Sequence, residues 1–224
     1  MALALFDLDN TLLHGDSDHL WGEFMCQVGA VDSVEYRQQN DQFYADYQAG
    51  NLDIYAYNEF CLQPLTKYSR EQLQQWRTQF LYEIIVPTIL PHGQEKIAKH
   101  RHADDQIVII TATNEFITKP IAKHMNITTL LATTPEVIEG RYTGKVAGTP
   151  CFREGKVARL NAWLRNSNYD LSGSYFYSDS VNDLPLLELV QNPIAVDPDE
   201  KLRQYAEQNE WPVISFRLAS QNIA

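Results

Sequence analysis

LALFDLDNTLL, residues 3–13, decides how the rest of this chain is read. An apolar run from Ala2 to Phe6 ends in two aspartates, Asp7 and Asp9, with a single leucine between them. Such a run reads as a short strand buried on both faces. In extended backbone, side chains two residues apart point the same way, so Asp7 and Asp9 can share one pocket at the strand's end. Two readings stay open on this stretch alone. Either the strand runs into a turn and Asp9 or Asn10 caps the next element, or the paired carboxylates carry chemistry. The rest of the chain decides between them.

From about residue 92 the pattern alternates between strand and helix. QIVIIT (106–111) predicts a buried strand, and NEFITKPIAKHM (114–125) a helix with Pro120 near its first turn. ITTLLAT is a second strand, and EVIEGRYTGKV (136–146) a small hairpin around Gly140 and Gly144. REGKVARLNAWLR (153–165) predicts an amphipathic helix with Val157, Leu160 and Leu164 on one side. SYFYSD, PIAV and WPVISF then read as strands, separated by the helical NDLPLLELV and DPDEKLRQYAEQ. This alternation predicts an α/β fold with a Rossmann-like, mainly parallel sheet and helices on both faces. In such sheets the active groups lie beyond the carboxyl ends of the strands.

Residues 16–84 differ. They read as helical throughout, with interruptions near Gly29, Gly50-Asn51 and Pro64. The span holds eleven acidic residues against four basic ones, and 13 of the 25 aromatic residues. The expected organisation is a catalytic core of residues 1–15 and 85–224, with a helical-bundle cap, 16–84, inserted after the first strand.

At 224 residues the chain has ample length for a core, and 44% hydrophobic with 21% charged residues is ordinary for a globular protein. The formal charge of -11 argues against nucleic acid, whose phosphates are bound mainly by clustered Lys and Arg. No apolar run approaches the roughly 20 residues of a membrane span, and Met1 to Phe6 is too short for a signal peptide. Cys26, Cys61 and Cys151 are scattered and odd in number, which suggests neither a disulfide framework nor a zinc site. A cytoplasmic location is expected, without membrane association, as a monomer or homodimer.

The ends of the predicted elements form a set. The first strand ends at Asp7, Asp9 and Thr11; IVII ends at Thr111, before Ala112; Lys156 begins the amphipathic helix; SYFY ends at Ser178 and Asp179, with Asn182 and Asp183 beyond. Hydrolysis of a phosphate ester through a covalent intermediate needs an anionic nucleophile, a general acid for the leaving alkoxide and a base for water. A divalent ion must offset the repulsion between carboxylate and phosphate, and Mg²⁺ favours carboxylates and phosphate oxygens. A cation and short donors must hold the phosphoryl group, which Lys156 and Thr111 can do. Each residue also has a plainer role. Thr111 suits a strand, Lys145 competes with Lys156, and Asp183 can cap the helix at Leu184-Pro185.

As a set, DLDNT, the threonine ending IVIIT, Lys156 and SDSVND resemble the four motifs of the haloacid dehalogenase superfamily of aspartate-dependent phosphatases. The position of the helical insertion resembles the phosphoserine phosphatase branch, subfamily IB. The resemblance implies Asp7 as nucleophile and Asp9 as acid/base, its backbone carbonyl also reaching Mg²⁺. Asp179 would be the second carboxylate ligand, with Asp183 supporting the metal site. Thr111, Ala112, Lys156 and Asn182 would hold the phosphate. Ser178 and Ser180 stand where that branch usually carries glycines.

The branch binds a substrate ammonium through an acidic residue shortly after the first motif, and Asp16 holds that place. Arg37, Arg70 and Arg77 are the only candidates for a carboxylate clamp. An acidic, aromatic-rich cap suits a cationic, planar leaving group that is not an acid, with Trp21, Tyr44 and Tyr47 as candidate contacts. GDSD (15–18), ITATN, PCFREGKV and FYSDSVNDLPLL resemble a bacterial subgroup labelled histidinol-phosphatase. The expected substrate, a small-molecule phosphate ester, is therefore L-histidinol phosphate, of histidine biosynthesis, with L-phosphoserine, of serine biosynthesis, second. Two other classes are weighed: a receiver-like signalling protein that accepts phosphate, and a non-catalytic binding derivative of the same fold.

Overall fold

A computed structural model describes residues 1–218. Its centre is a six-stranded parallel sheet in the order β3-β2-β1-β6-β7-β8. β1 is Leu3–Phe6, β2 Gln106–Asn114, β3 Thr129–Thr133, β6 Tyr175–Ser178, β7 Asn192–Val196 and β8 Val213–Ile214. The chain builds outward from β1 to β2 and β3 on one side, then crosses to β6, β7 and β8 on the other. The carboxyl end of β1 is thus the point where the order reverses, the position at which open α/β sheets bind ligands.

All four residues of β1 are buried, as a strand covered on both faces requires. Ala4 and Phe6 face one apolar cluster, and Leu3 and Leu5 the other. α5 (Pro91–His102) and α6 (Glu115–His124) contribute Ile97, Ile117 and Ile121 to the first. α7 (Glu154–Leu164), α8 (Leu184–Leu187) and α9 (Glu200–Gln208) supply Leu160, Leu187 and Leu202 to the second. β4 (Pro135–Ile138) and β5 (Arg141–Val146) form the expected hairpin, turning on Glu139 and Gly140 with φ of 48° and 79°. Positive φ at both turn positions matches the twist of antiparallel strands.

Pro120 lies inside α6, not in its first turn. A proline there leaves the carbonyl four residues back without its helical partner. Arg77 Nη1 donates to that carbonyl, Phe116 O, at 3.0 Å. The helix continues because a residue 39 positions away supplies the missing donor.

Between β1 and α5 the chain is helical: α1 (Ser17–Gln27), α2 (Ser33–Ala49), α3 (Ile54–Leu62) and α4 (Arg70–Phe80), with 3₁₀ turns at Gln63–Thr66 and Val86–Thr88 and a π-helical turn at Leu81–Ile85. Asp16, Asp32, Asp53 and Ser69 accept backbone N–H bonds at the four starts. α2 stops at Gly50, a left-handed residue at φ 80°. The helices divide by packing. Trp21 and Phe24 of α1 and Leu73 and Phe80 of α4 share the apolar cluster of Phe6 and Ile109. α2 buries only Asn40 completely and, with α3, contributes side chains above the strand ends.

Candidate active site

Asp7 leaves β1 with its N–H still bonded to Tyr177 O at 2.9 Å, so the sheet fixes where its carboxylate begins. Lys156, in the first turn of α7, is buried to 3% exposure and places Nζ 2.8 Å from Asp7 Oδ1 and 2.7 Å from Asp183 Oδ2. The preceding Gly155 makes that approach possible, because a Cβ there would lie 2.0 Å from Pro150 O. Lys145 is exposed on β5. Asp183 spends its side chain on Lys156 and Ser178 Oγ, the latter at 2.7 Å, and does not cap α8.

Asp9 is held from three sides. Ser17 N–H donates to Oδ1 at 2.6 Å, while Thr113 Oγ1 and Thr111 Oγ1 donate to Oδ2 at 2.8 and 3.3 Å. Thr11 Oγ1 donates to Asp179 Oδ1 at 3.1 Å. Ser180 Oγ accepts from Asn182 N–H and Nδ2 at 3.2 and 3.3 Å. The two serines that depart from the branch's glycines therefore brace the side chains of their own segment. Thr113 and Ser178 are site residues that the motif reading did not assign. The alternation Thr111-x-Thr113 was the available signal for the first, since strand residues two apart share a face.

These groups meet at a cavity of about 40 Å³, lined by Asp7, Asp9, Thr111, Ala112, Lys156, Asn182 and Asp183 on the sheet side. Asp16, Tyr44, Tyr47 and Tyr57 line it from the helical insertion. Asp179 opens onto an adjacent groove that Tyr44 and Tyr47 also line. Trp21 does not reach the cavity. It is 2% exposed and packs against Phe24, Phe80 and Phe116, because an indole on the inner face of α1 buries more apolar area in the core than at the strand ends. None of the three candidate arginines lines it either. Arg37 pairs with Glu23, Arg70 lies over Tyr142, and Arg77 is committed to α6.

Burial pushes the Asp7 carboxyl up to about 7, with Lys156 pulling it down and Asp183 and Asp9 pushing it further up. Burial and the neighbouring Asp7 and Asp183 carboxylates raise Asp179 well above the usual range. Burial alone would favour loss of the Lys156 proton, but Asp183 and Asp7 outweigh it and hold the ammonium charged. Lys156 thus pairs with two of the three buried carboxyls, Asp7 and Asp183, while Asp179 has only the Thr11 hydroxyl as its side-chain partner. A hard divalent cation fits this all-oxygen donor set, whose excess negative charge is otherwise costly to bury. Asp16 is likewise pushed up to about 7, by burial and then by Asp9, against bonds from the His19 and Asp18 N–H groups.

A parallel α/β sheet that gathers acidic and cationic side chains at its switch point is suited to phosphoryl transfer. Residues 4–188 match the model of the haloacid dehalogenase-like hydrolases, and the chain belongs to that family. A histidinol-phosphatase of Neisseria meningitidis is 46% identical over 219 residues, covering 96% of this chain and 99% of its own. The crystal structure of a protein with unknown function from Bordetella pertussis superposes with a TM-score of 0.91 at 44% identity, covering 96% of this chain and 99% of that one. A substrate-bound phosphoserine phosphatase shares the fold at a TM-score of 0.71 and 14% identity, over 96% of this chain and 93% of its own. The protein is a phosphatase, which sets aside the receiver and the non-catalytic readings. The three cysteines are free and buried, and no helix among the described residues is long and apolar enough to cross a membrane.

Proposed function

We propose that this phosphatase hydrolyses L-histidinol phosphate, with residues 16–84 acting as its cap. The carrying observation is the charge of the cavity lining. Asp16 is the charged group on the cap side, and Lys156, committed to Asp7 and Asp183, is the sole cation among the lining residues. A substrate ammonium answers Asp16, and the tyrosine rings accept a planar group. A carboxylate would meet no cation there and would face Asp16 in a buried space. Histidinol phosphate carries an amine and an imidazole and no carboxylate; phosphoserine carries one. The Neisseria relative of this name, aligned over nearly the whole of both chains, supports the same reading.

In the proposed reaction an Asp7 carboxylate oxygen attacks phosphorus and the bond to the leaving oxygen breaks. Asp9, oriented by Ser17 and the two threonines, gives a proton to the leaving alkoxide. Asp9 then takes a proton from the water that attacks the aspartyl-phosphate, releasing phosphate and restoring Asp7. Lys156, Thr111, the segment at Ala112 and Asn182 hold the phosphoryl oxygens. Asp7, Asp179, Asp183 and the Asp9 carbonyl would hold Mg²⁺, which supplies charge neutralisation between carboxylate and phosphate. Seating of α2 and α3 over a bound substrate would exclude water during attack, as closing lids do.

The test is phosphate release from L-histidinol phosphate and L-phosphoserine, with Mg²⁺. A preference for the first of about tenfold or more, about 1.4 kcal/mol of discrimination, is expected. A preference for phosphoserine would overturn the substrate and leave the phosphatase in place.

A further inference from the structure

Arg153 connects two parts of the molecule that the phosphate chemistry does not join. It precedes α7, three residues before Lys156, with φ 50° and ψ −121°, a backbone region that residues other than glycine avoid. Its Nε and Nη2 both donate to Asn182 Oδ1, at 3.0 and 2.8 Å, and Nη2 also donates to Gly50 O at 2.6 Å. Gly50 is the end of α2, where helix carbonyls lack intrahelical partners and the helix dipole is negative. α2 has no basic residue in its own last turn. The sheet domain supplies the cations instead: Arg153 at Gly50, and Lys201 of α9, whose Nζ donates to Ala49 O at 3.2 Å.

A guanidinium only donates, so the Asn182 oxygen must face Arg153 and its NH₂ must turn away. Asn182 lines the cavity, and its Nδ2 is available there as a donor, with Ser180 Oγ as present partner. One side chain therefore fixes both the seat of α2 and the direction of the Asn182 amide. Phe152 extends the link, lying under the guanidinium at 5.0 Å and against Tyr47 of α2 at 6.3 Å.

We propose that Arg153 is a positioning residue that couples the seating of α2 over the cavity to the orientation of Asn182 as a phosphate donor. The proposal rests on the phosphatase reading but not on the identity of the leaving group. The shared Nη2, which bonds both Gly50 O and Asn182 Oδ1, would tie phosphoryl binding to the seating of α2 and to exclusion of water.

A double-mutant cycle on p-nitrophenyl phosphate hydrolysis tests it. Arg153→Ala is expected to lower kcat/KM by about tenfold to a hundredfold and to weaken inhibition by inorganic phosphate. In an Asn182→Ala background the same change should cost no more than Lys201→Ala does, since only the anchor on α2 remains to be lost. An equal loss with and without the Asn182 side chain, or a wild-type rate for Arg153→Ala, would overturn the proposal. If Arg153→Ala does not fold, Arg153→Lys, which keeps the charge but cannot fork, decides the cycle by the same two outcomes. A wild-type protein inert toward p-nitrophenyl phosphate would count against the phosphatase reading. The cycle is then read on orthophosphate affinity by calorimetry, where coupling supports the proposal and its absence overturns it.

Discussion

On the floor of the cavity Lys156 sits between Asp7 and Asp183, and Thr11, Thr111, Thr113 and Ser178 bond the carboxylates in turn. On the roof Tyr44, Tyr47 and Tyr57 share the space with Asp16, whose partners are two backbone N–H groups and which forms no ion pair among the described residues. The floor's side chains bond one another, which fixes their geometry before any ligand arrives, as electrostatic preorganisation requires. The roof keeps a half-buried carboxyl that forms no ion pair among the described residues, and a cationic ligand would supply one. On the proposed reading the difference is a division of labour: the floor would do the chemistry on any phosphate monoester, and the roof would select the leaving group.

Breaking the floor should have the largest effects. Asp7→Asn removes the nucleophile and should lower turnover of every phosphate ester by about a thousandfold or more. Circular dichroism should show the fold intact; a mutant near the wild-type rate would remove Asp7 from its role. Lys156→Met leaves Asp7 and Asp183 buried without their cation. Loss of one partner from a buried pair costs about 3–5 kcal/mol, so denaturant unfolding should show a stability loss of that order together with inactivity. An unchanged midpoint would mean that the pair does not hold the floor. Asp9→Asn should slow proton transfer, by about a hundredfold or more, and less for p-nitrophenyl phosphate, whose leaving group needs little protonation. An equal loss on both substrates would contradict the acid role.

The roof should respond differently. Asn caps a helix about as well as Asp, so Asp16→Asn keeps the start of α1 while removing the charge. The folded-state carboxyl is pushed up to about 7 from an ordinary 3.8, so between those values the native protein retains a proton that the unfolded chain has lost. Stability from this group is therefore lost as pH rises through that window. In EDTA, the melting temperature of Asp16→Asn should exceed that of the wild type above pH 7, and the gap should close near pH 4. A constant gap would place the effect elsewhere than in this carboxyl.

Much of the floor was legible because its chemistry is local. Asp7 and Asp9 follow an apolar strand, and Lys156, Asp179 and Asp183 stand at element ends, so strand and helix periodicity alone carried them toward one edge of the sheet. The rest depends on contacts distant in sequence. Pro120 could enter α6 only because Arg77 replaces its missing bond. Trp21 looked like a ligand platform and is core, since α1 buries its face against α4 and α6, and helical spacing alone does not tell a pocket from a packed interface. Arg153 bonds an amide 29 residues away and a carbonyl 103 residues away, which no local pattern encodes.

The most direct measurement of the division between floor and roof is the ratio of kcat/KM for L-histidinol phosphate to that for p-nitrophenyl phosphate, in the wild type and in Asp16→Asn. The ratio should fall about tenfold, the worth of one charge-assisted contact, with the p-nitrophenyl phosphate rate nearly unchanged. A parallel fall in both rates would make Asp16 part of the chemistry, and an unchanged ratio would mean that the roof does not select a cation.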